Sequence, residues 1–302
     1  MTDPDPVRVA ILVACHNDGA TLRETIDSLR REPGAELVVV DDGSTDERTI
    51  EELGRLDSEG VRVLRQRQSG PSAAWMRGFE ATTAPYVMPF SSDDILVRGA
   101  TAALADALDA APAADAAWGD LQSFGLVDSY RPSVPVLCPW LITFTNCAPG
   151  IALFRREAIV ATGGWQTIAA SEDWDLWMRM AAQGRTIAYV RRAIFLYRRR
   201  SGGRFRGRGR SHDAFYAELR RRNASLFNAR SSNRRVSPAP RVLKLLLPVV
   251  DKLPGVPRFK KIQLSDALTL LFWTGGLRKT AVIVTKGILF RLRLRTEERS
   301  SA

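Results

Sequence analysis

Residues 7–14, VRVAILVA, and residues 36–40, ELVVV, decide the fold. Both are unbroken apolar runs rich in β-branched side chains, the pattern of strands buried on both faces. Between them, residues 20–31 (ATLRETIDSLRR) place Leu22, Ile26 and Leu29 at spacings of four and three, which predicts an amphipathic helix closed by Pro33-Gly34. The rhythm continues outward. After the sharp turn Asp41-Asp42-Gly43-Ser44, Thr45 or Asp46 is placed to cap a helix running to about Leu56. Residues 61–65 read as a third strand, Gly70-Pro71 opens a helix to about Ala81, and residues 86–90 (YVMPF) read as a fourth strand. Strand and helix alternating in this way predict an α/β fold with a mainly parallel sheet covered on both faces. Ligands of such sheets sit beyond the carboxyl ends of the strands. The loops to inspect are therefore His16-Asn17-Asp18, Asp41-Asp42 and Ser91-Ser92-Asp93-Asp94.

Further along, residues 100–110 form an Ala-rich helical stretch, and residues 121–149, with Pro132, Pro135, Pro139 and Pro149, show no regular period. Residues 151–154 read as a strand. From Ser171, the residues Trp174, Trp177, Met178 and Ala181 fall on one face of a helix that Gly184 ends. Residues 186–190 and 194–197 read as two short strands, 201–210 as a flexible basic segment, 213–230 as a basic helix and 231–240 as a linker. Apolar bursts follow at 245–250, 267–277 and 281–284, each shorter than the roughly 18–20 residues that cross a bilayer. Lys244, Lys252, Arg278 and Lys279 interrupt them. Two readings stay open: helices lying in an anionic membrane surface, or a helical bundle packed on the body.

The chain has 302 residues, 45% hydrophobic and 25% charged, which excludes wholesale disorder and fibrous repeats. Three scattered cysteines (Cys15, Cys138, Cys147) and two histidines, with no CxxC pair, exclude a disulfide scaffold and a structural zinc site. No leader-like stretch opens the sequence, so a cytoplasmic setting is expected. The net charge of +11 is unevenly spread. Residues 1–190 hold 16 arginines, no lysine and 27 acids, whereas residues 191–302 hold 28 basic residues and 6 acids. An acidic body and a basic tail meet different partners. Ala14-Cys15-His16-Asn17-Asp18-Gly19 stands where a dinucleotide oxidoreductase would carry GxGxxG, so that class fits poorly.

Five blocks occur in order: VRVAILVACHNDGATLRETIDSLR, ELVVVDDGSTDERT, QSGPSAAWMRGFEAT, YVMPFSSDD, and GGW…SEDWDLWMRMAAQG…LYRRR. Over roughly residues 5–200 the chain resembles a family 2 glycosyltransferase. The resemblance implies the GT-A fold, a Rossmann-like, mainly parallel sheet flanked by helices. Here that would be a domain over residues 1–205 followed by a basic, mostly helical extension over 206–302. It also implies an inverting, hexosyltransferase-type enzyme that moves a sugar from a nucleotide diphosphate donor (a UDP- or dTDP-sugar) to a hydroxyl of a glycan or lipid-linked acceptor.

Residue roles follow from the same resemblance. Ala14, His16 and Asn17 would make the first nucleotide contact, with His16 standing where the family usually has Tyr. Asp42, with Asp41, would bind the base, and Gly70, Arg77 and Ser92 would complete the nucleotide side. Asp93 would hold Mg²⁺ or Mn²⁺, with Ser91 in place of the family's first Asp. Asp173, with Glu172 beside it, would be the general base that takes the acceptor proton. Trp165, Arg198 and Arg200 would lie toward the acceptor or the diphosphate, Arg200 standing where the family often has His. Asn146 and Cys147 would fall near the acceptor.

Structural readings stand beside these roles. Asp41–Ser44 is also a helix-starting turn, Asp93-Asp94 a helix cap, Arg77 a solvated helix residue, and residues 172–175 the acidic first turn of a helix. Trp174 and Trp177 read as core. The basic tail would bring the enzyme peripherally to the inner face of an anionic plasma membrane, with no specific nucleic acid bound. The alternatives are a non-catalytic nucleotide-sugar binding homologue, or nucleic-acid binding through the Arg/Gly-rich residues 198–210.

Overall fold

A computed structural model describes residues 7–168, 171–200 and 211–273. The expected basic segment 201–210 and the apolar stretches beyond residue 273 lie outside the described residues. The chain runs β1 (Val9–Cys15), α1 (Leu22–Leu29), β2 (Ala35–Asp42), α2 (Glu47–Ser58), β3 (Arg62–Gln66), α3 (Pro71–Glu80), β4 (Tyr86–Ser91), β5 (Ile95–Leu96) and α4 (Ala100–Asp109). It continues through β6 (Ala116–Gly125), β7 (Ser129–Arg131), a 3-10 turn (Leu141–Thr143), β8 (Leu153–Arg155), α5 (Arg156–Thr162), α6 (Glu172–Ala182) and β9 (Ile187–Arg199). Five helices follow: α7 (Ser211–Arg222), α8 (Ala224–Asn228), α9 (Arg230–Val236), α10 (Arg241–Lys252) and α11 (Arg258–Trp273).

Among the described residues nine strands form one sheet in the order β3-β2-β1-β4-β8-β6-β9-β5, with β7 paired to β6. The β3-β2-β1-β4 half is parallel, as the βαβ rhythm predicts. Beyond β4 the sheet is mixed: β8 runs antiparallel to β4 and β6, and β9 runs parallel to β6. Alternation along β1 builds a core on each face. Val9, Ile11 and Val13 pack with Leu22, Ile26, Leu53 and Leu104 from α1, α2 and α4. Ala10 and Leu12 point the other way, into a cluster with Phe79 of α3, Ile159 of α5 and Trp177 of α6.

Four expectations need correction. The expected strands 186–190 and 194–197 are one strand, β9. Its register against β6 shifts at Asp120, a bulge that takes up Arg191-Arg192 and looks in sequence like a break. The stretch 121–149 is not wholly irregular, because β6 extends to Gly125 and β7 follows. Its remainder is held by tryptophan indoles: Trp118 Nε1 donates to Val134 O at 2.9 Å, Trp174 Nε1 to Ile142 O at 2.8 Å and Trp177 Nε1 to Pro149 O at 3.2 Å. The helix expected over 213–230 is broken into α7 and α8, with Asn223 at the break. The linker expected at 231–240 is helical to Val236.

The helices after residue 210 pack on the body. Phe215, Tyr216 and Leu219 of α7, Phe227 of α8, and Leu243 and Leu247 of α10 join the core cluster that contains Trp174 and Trp177. A buried polar joint accompanies this contact. Asp175, fully buried, pairs with Arg179 at 2.9 Å and accepts from Asn223 Nδ2 at 3.1 Å, and Arg222 reaches it at 3.9 Å.

Candidate active site

The loops beyond β1, β2 and β4 meet at the carboxyl edge of the parallel half. Ala14, half-buried near the end of β1, lies level with Val40 and Ser91. His16 Nδ1 lies 2.9 Å from Asp42 O. A carbonyl only accepts, so Nδ1 carries the proton and Nε2 accepts from Gln68 Nε2 at 3.0 Å. Asn17 adopts a left-handed backbone with φ 56°. Its Oδ1 accepts from Thr45 N at 2.8 Å and Asp46 N at 3.0 Å, and its own N–H donates to Ser44 Oγ at 3.1 Å. Asp41 Oδ1 accepts from Ser44 N at 2.9 Å. Asp42, 4% exposed, accepts from Gln66 Nε2 (2.8 Å), Ser69 N (2.7 Å) and Gly70 N (2.8 Å).

These groups differ from the expectation in what they spend their hydrogen bonds on. The Asn17 carboxamide ties the β1 loop to the β2 loop, Asp42 ties β2 to the loop between β3 and α3, and Asp41 closes the turn of its own loop, so together they shape the rim of the site. Gly70, with φ 91°, turns the chain into α3 in a conformation that side-chain-bearing residues rarely adopt. His16 is the aromatic side chain of this group; it is half-buried, with Nδ1 on Asp42 O and Nε2 facing both Gln68 and Asn17.

The next part of the edge carries the charge. Ser92 is buried, and its Oγ donates to Asp18 Oδ2 at 2.6 Å. Asp94 is buried and accepts from Arg198 N at 2.9 Å; burial and the neighbouring Asp93 push its carboxyl well above the usual range. Burial also raises Asp93, an effect that Arg200 opposes and Asp18 reinforces. Arg200 Nη2 lies 2.8 Å from Asp93 Oδ2, and both of its Nη atoms lie 3.3 Å from Asp18 Oδ1.

The residues present do not fit the Mg²⁺ or Mn²⁺ expected at Asp93. Its carboxylate is paired to a guanidinium, which has no lone pair to offer a metal and repels one. Position 91 offers a hydroxyl in place of a carboxylate, and no cluster of three metal-ligating side chains occurs among the described residues.

Asp173 lies at the N-terminus of α6. Asn146 Nδ2 donates to its Oδ2 at 2.7 Å, while Asn146 Oδ1 is buried without a partner. Burial raises the Asp173 carboxyl to about 6, against the lowering effect of Asn146 and with a further rise from Glu172. The preceding Ser171 has φ 52°. Ser171 and Asn17 are the positive-φ residues other than glycine among the described residues, and both stand at the site. Tyr197 of β9, 37% exposed, feels both acidic regions: burial raises its phenol, as do the charges of Asp94, Asp93 and Asp173, while Arg199 lowers it.

Two expected site residues are not brought in, whereas Arg198 reaches the site through its own backbone and side chain. Arg77 is exposed near the C-terminal end of α3, about 9 Å along the axis from Pro71 at the end that faces the loops. Trp165, 4% exposed, is enclosed by Trp75 (6.1 Å), Phe79 (6.4 Å) and Phe154 (5.8 Å), so it is core and offers no sugar platform. Arg198 donates from Nε to Asp93 O at 2.8 Å, pairs with Glu24 and stacks 4.4 Å from the Phe124 ring, so it fixes the β4–β5 turn. The sequence by itself assigns no role to Asp18 or Tyr197. Both lie within blocks already singled out, and that was the available signal.

This constellation can be set against known proteins. Residues 10–161 match the profile of Glycosyl transferase family 2, and residues 149–294 that of Glycosyl transferase family group 2. The succinoglycan biosynthesis protein ExoU of Rhizobium meliloti (strain 1021) is 27% identical over 213 residues, which cover 61% of this chain and 60% of that protein. Poly-beta-1,6-N-acetyl-D-glucosamine synthase of Staphylococcus aureus (strain COL) is 23% identical over 196 residues, 60% of this chain and 47% of the synthase. The chain thus spans about half to three-fifths of the length of these relatives. The crystal structure of S. aureus TarS 1-349 in complex with UDP-GlcNAc superposes with a TM-score of 0.54 at 16% identity, covering 78% of this chain and 69% of that one. That likeness shows the expected GT-A architecture. With the profile match running through the βαβ half that carries the loop edge, the chain belongs to glycosyl transferase family 2.

Proposed function

We propose that this chain transfers a sugar from a nucleoside diphosphate donor, a UDP- or dTDP-sugar, to a hydroxyl of a glycan or lipid-linked acceptor with inversion. The observation that carries the reading is Asp173, held at 2.7 Å by Asn146 with its carboxyl raised to about 6. A carboxyl in that range is ionised near neutral pH yet basic enough to take a proton as it is shed. In the step, the Asp173 carboxylate accepts the acceptor hydroxyl proton and the oxygen forms its bond to the anomeric carbon. The bond from that carbon to the diphosphate breaks, and the nucleoside diphosphate leaves with the electron pair. His16 and the loop rim around Ala14, Asp42 and Gly70 receive the nucleotide.

UDP-GlcNAc, present in the TarS complex, is the first donor to try. The test incubates the full chain with labelled UDP- and dTDP-sugars and a lipid-linked glycan extract. Transfer by the native chain, lost by two to four orders of magnitude in Asp173→Asn with nucleotide binding kept, supports the reading. Equal transfer by Asp173→Asn overturns it.

The same reading includes peripheral contact with an anionic membrane through α9 and α10. A cavity of about 670 Å³, away from the carboxylates, is lined by Ser231, Arg234, Arg235, Arg241, Lys244 and Leu245. On the same two helices Val236, Leu245 and Val249 are 84%, 66% and 60% exposed. Among the described residues no helix is long and apolar enough to cross a membrane.

A further inference from the structure

Arg200 is built into the acidic corner of the site. Its Nη2 lies 2.8 Å from Asp93 Oδ2 and 3.2 Å from Thr21 Oγ1, and both Nη atoms lie 3.3 Å from Asp18 Oδ1. Asp18 is itself fixed by Ser92 Oγ at 2.6 Å. Two carboxylates thus share one guanidinium, the arrangement they would otherwise make around a metal ion. The Arg200 Nε–H is buried and has no partner. A buried unpaired donor is costly, and a charged one more so. An arriving anion would satisfy it.

Enzymes of this family generally use a divalent metal. Two substitutions in this chain bear on that chemistry together: Ser91 removes a carboxylate, and Arg200 adds a fixed positive charge against the carboxylate that remains. A guanidinium presents planar paired donors that match phosphate oxygens, carries its charge at every working pH and needs no loading from solution. Its carboxylate partners hold it in place before the donor arrives, so little reorganisation accompanies charge development on the leaving group.

We propose that Arg200, clamped by Asp93 and Asp18, is the resident cation that binds the donor's diphosphate, and that donor binding requires no divalent metal. This rests on the transferase reading above. Arg200 touches the diphosphate through its unspent N–H donors, and the charge left on the departing nucleoside diphosphate is balanced by this side chain.

The test is calorimetric titration of the full chain with UDP and dTDP and with UMP and dTMP. Titrations run in EDTA and in Mn²⁺, on the native protein, Arg200→Ala and Arg200→Lys, with melting curves confirming that the variants fold. The expected result is diphosphate binding in EDTA that added Mn²⁺ changes by less than about threefold. Arg200→Ala should weaken diphosphate binding about 10- to 100-fold, as for a charge-assisted pair, and leave monophosphate binding within about threefold. Arg200→Lys should fall between, because it keeps the charge and loses the fork. Native diphosphate binding that tightens tenfold or more with Mn²⁺ overturns the proposal, as does an Arg200→Ala variant that binds diphosphate normally. In both cases the nucleotide-site reading stands. Binding of no nucleotide under either condition overturns the donor-site reading and this proposal with it.

Discussion

Asn146 donates from Nδ2 to Asp173 Oδ2 at 2.7 Å, and its own Oδ1 is buried without a partner. The amide stabilises the ionised carboxylate, so it works against the burial that raises the Asp173 carboxyl to about 6. Transfer should need the ionised form, and the rate should fall about tenfold per pH unit below about 6. Asn146→Ala removes the donor, so the acid limb of kcat/KM should move to higher pH. A pH–rate profile for the two proteins checks this. An unmoved limb would mean that Asp173 is not the titrating base.

The same shift has a consequence for stability. With a folded value of about 6 against 3.8 for the free side chain, the native state holds the proton more tightly than the unfolded chain. Stability contributed at this position is therefore present below about pH 4 and is lost as pH rises through about 6. Asp173→Asn removes the cost, and the variant should be more stable than the native protein at pH 7.5 by about 1–3 kcal/mol. The gain should vanish near pH 4. Urea midpoints at the two pH values measure both.

Much of this was legible in the sequence, and the remainder has identifiable causes. The β1-α1-β2 unit reads clearly because a strand buried on both faces has no polar positions to confuse its pattern. β5 and β7, of two and three residues, are too short to carry any period. The order in residues 132–149 comes from three distant indole N–H groups, which no local pattern records. At the site, the residue types point to loops that the fold brings together, but type alone does not say where a carboxylate spends its lone pairs. Asp42 reads as a base-binding group, and in the fold it also accepts three hydrogen bonds, from Gln66 at the end of β3 and from Ser69 and Gly70 in the loop that follows.

Trp165 separates a core reading from a binding reading. Enclosed by Trp75, Phe79 and Phe154, it should cost about 3–5 kcal/mol when cut to Ala. Trp165→Phe should keep most of the stability and leave donor and acceptor KM unchanged. A raised acceptor KM in a well-folded Trp165→Phe protein would return this residue to the site.

Asp175 joins the body to the helices that follow it. It is fully buried and faces Arg179, Asn223 and Arg222. Removing one partner of a buried ion pair strands the other, so Asp175→Ala should destabilise the chain by about 3–5 kcal/mol. Because the joint couples the helices to α6, unfolding should remain a single transition in the native protein. Two separate transitions in Asp175→Ala, seen by calorimetry, would show that this carboxylate is what holds them together.

Of the two readings of the basic tail, packing on the body is seen, and the proposed membrane contact would fall on α10, which is apolar on opposite sides. Leu243, Leu247 and Val250 are buried against the body, while Leu245 and Val249 face outward between Arg241 and Lys252. An outward apolar pair flanked by cations suits the boundary between headgroups and acyl chains. Each nearby cation adds about 1 kcal/mol of attraction to an anionic surface, screened by salt. The protein should therefore sediment with vesicles containing phosphatidylglycerol and not with phosphatidylcholine alone, and added salt should release it. Leu245→Glu with Val249→Glu should abolish sedimentation at unchanged melting temperature, because neither side chain contributes to the buried face. Sedimentation undiminished in the double variant would assign the membrane contact to some other part of the chain.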